Sequence, residues 1–159
     1  MATLSTLLAP ELALTGSCWR LRTNANGYKR AVGKALVTQA SNGRSFRILE
    51  RRGSRLWIQL LEDGYRCWFE LEAVLGRAEQ RSPWRPALLP EVQIASRLPA
   101  VLAWTERAEQ QANTYLWGGT TEPDMDCSGL MQMAFASQGI WIPRDAYQQE
   151  RHCLSLIHI

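Results

Sequence analysis

Ser45-Phe46-Arg47-Ile48-Leu49-Glu50, Arg55-Leu56-Trp57-Ile58-Gln59-Leu60 and Tyr65-Arg66-Cys67-Trp68-Phe69 are three short segments in which apolar and polar residues alternate. Arg52-Gly53-Ser54 and Glu62-Asp63-Gly64 join them. Phe46 and Ile48 fall on one face, as the two-residue period of a strand requires. Glycine-bearing turns at this spacing predict successive antiparallel hairpins. Upstream, Ser17 to Leu21 reads as a further strand and Asn24-Ala25-Asn26-Gly27 as a turn cluster. Residues 16–75 therefore predict a small β-barrel.

Beyond this stretch the composition changes. The chain has 159 residues, 46% hydrophobic and 21% charged, a globular mixture. Its net charge of +3 is uneven: residues 1–86 carry 14 Lys/Arg against 7 Asp/Glu, whereas residues 87–159 carry 4 against 8. A break near Pro83 to Pro90 is a boundary signal. Ser82-Pro83-Trp84-Arg85-Pro86, Pro90 and Pro99 predict a stiff, extended linker over 81–98. Pro99 suits the first turn of a helix running through Gln111. No apolar run approaches the roughly 18 residues of a membrane span. The start, with no basic residues ahead of an apolar core, points to a cytoplasmic protein. Cys18, Cys67, Cys127 and Cys153 are scattered, so neither a disulfide framework nor a metal site is expected.

The second half holds the chemistry. Asp126-Cys127-Ser128-Gly129 precedes Leu130, Met131, Ala134 and Phe135, an apolar helical face that Gly139 ends. Cys127 then sits on a first helical turn with Asp126 as N-cap. The free N–H groups there favour a thiolate, and a thiolate is a nucleophile. A buried cysteine acting as a small hydrophobe is the plainer alternative. Tyr115-Leu116-Trp117-Gly118-Gly119-Thr120 lies just upstream. A tyrosine hydroxyl can donate to an oxyanion, and paired glycines allow close backbone approach. Downstream, Ile142-Pro143-Arg144-Asp145 reads most simply with Arg144 and Asp145 as a local ion pair, and Gln148 follows.

Taken together, Tyr-Leu-Trp-Gly-Gly, then Asp-Cys-Ser-Gly at a helix start, then Pro-Arg-Asp and a Gln, resemble the NlpC/P60 cysteine peptidases. With the barrel and linker, the chain resembles the cyanobacterial γ-D-glutamyl-L-diamino acid endopeptidases. Gly64-Tyr65-Arg66-Cys67-Trp68-Phe69 is similar to the end of a bacterial SH3-type barrel. The resemblance implies an α+β chain: an SH3-like barrel over 1–80, ordered over about 16–75, and the helical first part of a papain-like domain over 99–153 whose sheet is missing. It implies Cys127 as nucleophile, Tyr115 facing its sulfur, Asp126 and Ser128 holding the free amine of a substrate L-Ala, and Tyr65 closing that subsite. The substrate would be the murein stem peptide L-Ala-γ-D-Glu-diamino acid, cleaved without cofactor through an acyl-enzyme, with neither nucleic acid nor membrane as partner.

The family's catalytic histidine, some fifty residues after the cysteine, has no counterpart; neither His152 nor His158 fits. Leu154-Ser155-Leu156-Ile157-His158-Ile159 is moreover the translation of a transposon mosaic end used in sequencing libraries. The expectation is a gene fragment with a foreign tail over 154–159 and no activity of its own. Two other readings stay open: a peptidoglycan-binding module without chemistry, and a nucleic-acid-binding barrel using Arg44, Arg47, Arg51, Arg52 and Arg55.

Overall fold

The computed structural model describes residues 5–157, with side chains through residue 152. The chain divides into two compact units, residues 1–85 and 86–159. In the first, β1 (Cys18–Leu21), β2 (Ala25–Tyr28), β3 (Leu36–Ala40), β4 (Ser45–Arg52), β5 (Arg55–Leu60), β6 (Arg66–Glu70) and β7 (Ala78–Gln80) form one antiparallel sheet. The strand order is β3-β2-β6-β5-β4-β1-β7. One short helix, α1 (Leu71–Val74), precedes β7.

The central hairpins follow directly from the alternating segments. Phe46 pairs with Leu60 and Ile48 with Ile58, then a bulge between Ile48 and Glu50 resets the register to Glu50–Trp57. Their apolar face builds the core: Phe46, Ile48, Leu56, Ile58, Leu60 and Phe69 are completely buried. Each such side chain contributes roughly 1.5–3 kcal/mol. The Phe46 and Phe69 rings meet edge to face, 5.4 Å between centroids. Gly53 and Gly64 turn with positive φ.

The second unit contains α2 (Glu91–Glu109), α3 (Cys127–Ala136) and α4 (Ala146–Ile157). Val101, Ala134, Ile140 and Ile142 form its buried cluster, with Leu89, Ile94, Trp104 and Phe135 packed around it. α2 begins at Glu91, inside the expected linker, and continues through Pro99 to Glu109. Pro90 ends the extended approach to that helix, so the break falls there and not at Pro99. Of the expected tail, residues 154–157 continue the backbone of α4, while His158 and Ile159 lie outside the described residues.

The expected architecture needs correction. A small barrel followed by a helical part without its sheet does not describe this chain. It is sheet-rich, with seven antiparallel strands and four helices among the described residues. On the apolar face of α3, Ala134 and Phe135 pack with α2 and with Ile140 and Ile142, while Met131 stays exposed. The expected turn at Ala25–Gly27 is strand β2, paired with β3 along its length and with β6 at Tyr28–Trp68. Tertiary packing overrides the turn preference of Asn26-Gly27 there. β7 is too short to show a period, and Leu7 and Leu8 add a further pairing beside it.

Gly27 shows why that strand carries a glycine. A Cβ there would lie 2.6 Å from Cys67 Sγ and 2.7 Å from Thr38 Cγ2. Both neighbours are buried. Gly27→Ala should destabilise the first unit by about 1–3 kcal/mol through overpacking. Urea unfolding followed by tryptophan fluorescence checks this; Cys67→Ala in the same background should recover part of the loss.

Candidate active site

Asp126 organises the start of α3. It is the N-cap, and its Oδ1 accepts from the Gly129 amide at 2.7 Å. Its Oδ2 accepts from the Gly118 amide at 2.8 Å. The Arg144 guanidinium then forks onto both oxygens, Nη1 to Oδ1 at 3.1 Å and Nη2 to Oδ2 at 2.8 Å. Ser128 Oγ donates to Oδ1 at 3.2 Å and accepts from Arg144 Nη1 at 2.8 Å. Arg144 is 2% exposed. Burying such a cation is costly unless it is paired and hydrogen-bonded, and the bidentate fork supplies both.

The loop before α3 is pinned to the same point. Asp126 N donates to the Gly119 carbonyl, and Leu116 N to the Met125 carbonyl. Gly129 packs directly against the Gly119 carbonyl, where a Cβ would collide with that backbone oxygen. Gln149 of α4 donates to the carbonyls of Ser128, at 2.9 Å, and Pro143, at 2.8 Å. Four segments therefore meet behind the first turn of α3.

Cys127 occupies that turn and is exposed. The Tyr115 side chain lines the same cavity as the thiol. Desolvation, then its interactions with Cys127 and Asp126, hold the Tyr115 hydroxyl above its ordinary value, so it remains a proton donor. Cys127 lies between two cavities. The larger, about 520 Å³, is lined by Glu106, Ala108, Glu109, Tyr115, Asp126 and Leu130 among others. The smaller, about 320 Å³, is lined by Ser128, Met131, Ala146, Gln149 and Glu150. Among the described residues, neither wall includes a lysine, arginine or histidine. Among the described residues no group of three or more His, Cys, Asp and Glu could hold a metal ion.

The structure brings Cys127, Tyr115, Asp126 and Ser128 together. Asp126 and Ser128 have their polar side-chain atoms turned to Arg144 and to the start of α3. Tyr65 belongs to the first unit, where it packs partly buried on the core and its amide donates to Asp63 Oδ1. Sequence reading missed two contributions. Arg144 pairs with Asp126, eighteen residues away, and not simply with the adjacent Asp145. A buried-side arginine after Ile142-Pro143 signals some buried carboxylate without saying which. Glu106 and Glu109, three apart on α2 and exposed, were passed over because α2 was read for its apolar face.

Both units are similar to known protein families. Residues 112–157 match the NlpC/P60 family. Residues 27–74 match the bacterial dipeptidyl-peptidase SH3 domain. The bifunctional muramidase/DL-endopeptidase CwlT of Bacillus subtilis is 44% identical over 45 residues, covering 28% of this chain. The chain spans 14% of that relative's length. Among solved structures, NlpC2 of Trichomonas vaginalis aligns over 87% of this chain and 73% of its own, at 14% identity and a TM-score of 0.41. An NlpC/P60 family protein of Bacillus cereus aligns over 86% of this chain and 41% of its own, at 18% identity and 0.29. The match with the family covers α3, its preceding loop and α4.

The carboxyl of Asp126 tests this arrangement through pH. Burial raises it, but hydrogen bonds from Arg144 and from the Gly129 and Gly118 amides, with the Arg144 charge, outweigh burial and hold it below 3.8. A depressed acid contributes stability above its unfolded value and loses it as pH falls through the folded one. Protection of the α3 amides against exchange, corrected for intrinsic pH dependence, should therefore fall as pH drops below 3.8. In Asp126→Asn, protection should be lower at neutral pH and flat through that window.

Proposed function

We propose that this chain carries the nucleophile of a cysteine peptidase acting on peptidoglycan peptides. The observation that carries the reading is an exposed thiol on a first helical turn, set between two cavities, one of which it shares with Tyr115. The preferred substrate is L-Ala-γ-D-Glu-diamino acid, cleaved after the D-Glu side-chain carbonyl. The Cys127 sulfur attacks that carbonyl and the C–S bond forms as the oxyanion develops. The Tyr115 hydroxyl, from the wall of the same cavity, supports the anion by donation. Collapse breaks the C–N bond as the proton given up by the thiol passes to the departing amine, and water then cleaves the thioester C–S bond, leaving the γ-carboxyl product and returning a proton to sulfur.

The free amine of L-Ala is the recognition feature. It exists only after the stem peptide has left its glycan strand, which favours a soluble, recycled fragment as substrate and a cytoplasmic site of action. The Asp126 carboxylate meets Arg144 on one side, while Glu106 and Glu109 add negative charge to the cavity wall. A cationic end is favoured in such a cavity. The basic first unit supports nucleic-acid binding less well. Arg44 pairs internally with Glu62 and Asp63, Arg55 with Glu70 and Arg52 with Glu50, and Arg51 donates to the Pro10 carbonyl.

An L-Ala-γ-D-Glu chloromethyl ketone should alkylate Cys127 faster than its N-acetyl counterpart, by about tenfold if one charged hydrogen bond is lost. Peptide mass spectrometry locates the label and gives both rates. Equal rates would remove the amine from the recognition. Because no histidine among the described residues lines either cavity, the 159-residue chain should be alkylated at Cys127 yet release no diamino acid from the peptide, as read by amine-detecting chromatography.

A further inference from the structure

We propose that Arg144 is a positioning residue for the Cys127 thiol: it clamps the Asp126 carboxylate from behind, fixing the start of α3 and cancelling the negative charge beside the sulfur. The inference rests on Cys127 being the reactive thiol, but not on any particular peptide substrate. Three observations carry it.

The first is the charge around the sulfur. Facing Cys127 are Glu106 and Glu109 from α2, Tyr115 from the preceding loop, Asp126 at the cap and Glu150 from α4. Four of these are carboxylates, and Tyr115 is a neutral phenol. A thiolate forms with difficulty among carboxylates, because like charges disfavour one another. Arg144 is the cation that touches the nearest of them. The second is its geometry. Arg144 reaches both Asp126 oxygens and Ser128 Oγ, an arrangement that needs a planar fork. A lysine ammonium offers a point charge but cannot bridge the same three atoms in one plane. The third is connectivity. The same carboxylate holds the amides of Gly118 and Gly129, one before Cys127 and one after it. Arg144 therefore fixes the backbone on both sides of the sulfur without touching it.

The test reads the thiol directly in the full chain. Iodoacetamide labelling of Cys127, located by peptide mass spectrometry, is followed across the pH range of thiol ionisation in wild type, Arg144→Met, Asp126→Asn and the double variant. Arg144→Met should move the labelling midpoint alkaline by about one pH unit, since Asp126 is left bare beside the sulfur. Adding Asp126→Asn should return the midpoint towards wild type, because the offending charge is gone. A purely structural role predicts no such return. A wild-type profile in Arg144→Met, or a double variant as alkaline as the single one, would overturn the proposal. If Arg144→Met fails to fold the second unit, Arg144→Lys decides. It should keep the wild-type midpoint while the Gly118 and Gly129 amides exchange faster. A raised midpoint, or wild-type exchange at both amides, would then overturn it. None of these outcomes depends on peptide turnover, so failure of the peptidase reading remains distinguishable.

Discussion

Five hydrogen bonds converge on the Asp126 carboxylate, and the geometry of the second unit follows from them. A carboxylate has about four lone-pair directions, so its acceptor capacity is filled. Removing any donor would leave a buried charge under-satisfied, which costs more than the bond itself contributes in net terms. This asymmetry lets one side chain hold the 118–119 loop, the first turn of α3 and the 143–144 segment in a single arrangement. The glycines are part of the same constraint. Gly129 lies against the Gly119 carbonyl, a contact no side chain would permit. Position 129 therefore needs a glycine because the cap draws the two backbones together.

The first unit meets the same problem in another place. Arg44 is 4% exposed and pairs with Glu62 and Asp63. Glu62 also accepts from the Ser45 amide at 2.7 Å. Burial raises the Glu62 carboxyl while Arg44 and the amide bonds draw it back, and the net position stays above its ordinary value. A buried ion pair of this kind adds little stability over an apolar replacement, but it punishes misplacement. Here it ties the β4 start to the turn after β5, at the end of the hairpin away from the Ile48–Glu50 bulge. In both units a buried arginine fixes a turn whose backbone carries the functional or topological detail.

The parts legible in sequence were those written in local patterns. The hairpins from Ser45 to Phe69 show a two-residue period and glycine turns, and β4, β5 and β6 form there, with a bulge that the pattern does not show. Asp126 as N-cap and Cys127 on the first turn are equally local, since a cap and its helix lie within four residues. β2 was hidden because Asn26-Gly27 looks like a turn until Tyr28 meets Trp68 and Ala25 meets Ala40. α2 was misplaced because Pro99 invites reading as a helix start, whereas Val101 and Ala108 are buried from a helix already begun at Glu91. Arg144 was unreadable for a different reason. Its partner is set by where α3 and the 140–144 segment pack, and no spacing rule connects residues 126 and 144.

Those packing-defined contacts also divide the labour around the thiol. Asp126 is adjacent to Cys127 in sequence, yet its charge is turned back onto Arg144. Glu106 and Glu109 are distant in sequence, yet they line the cavity in front of the sulfur. The negative wall on offer to a ligand is thus supplied largely by α2, while the cap supplies rigidity. The separation has a physical basis. A carboxylate held by five donors is well placed to position a backbone and poorly placed to accept a sixth. A carboxylate on an exposed helical face keeps rotamer freedom and can adjust to a cationic group. Electrostatic attraction and precise placement of the nucleophile thereby reside on different residues, and a substitution in one set can change recognition without moving the sulfur.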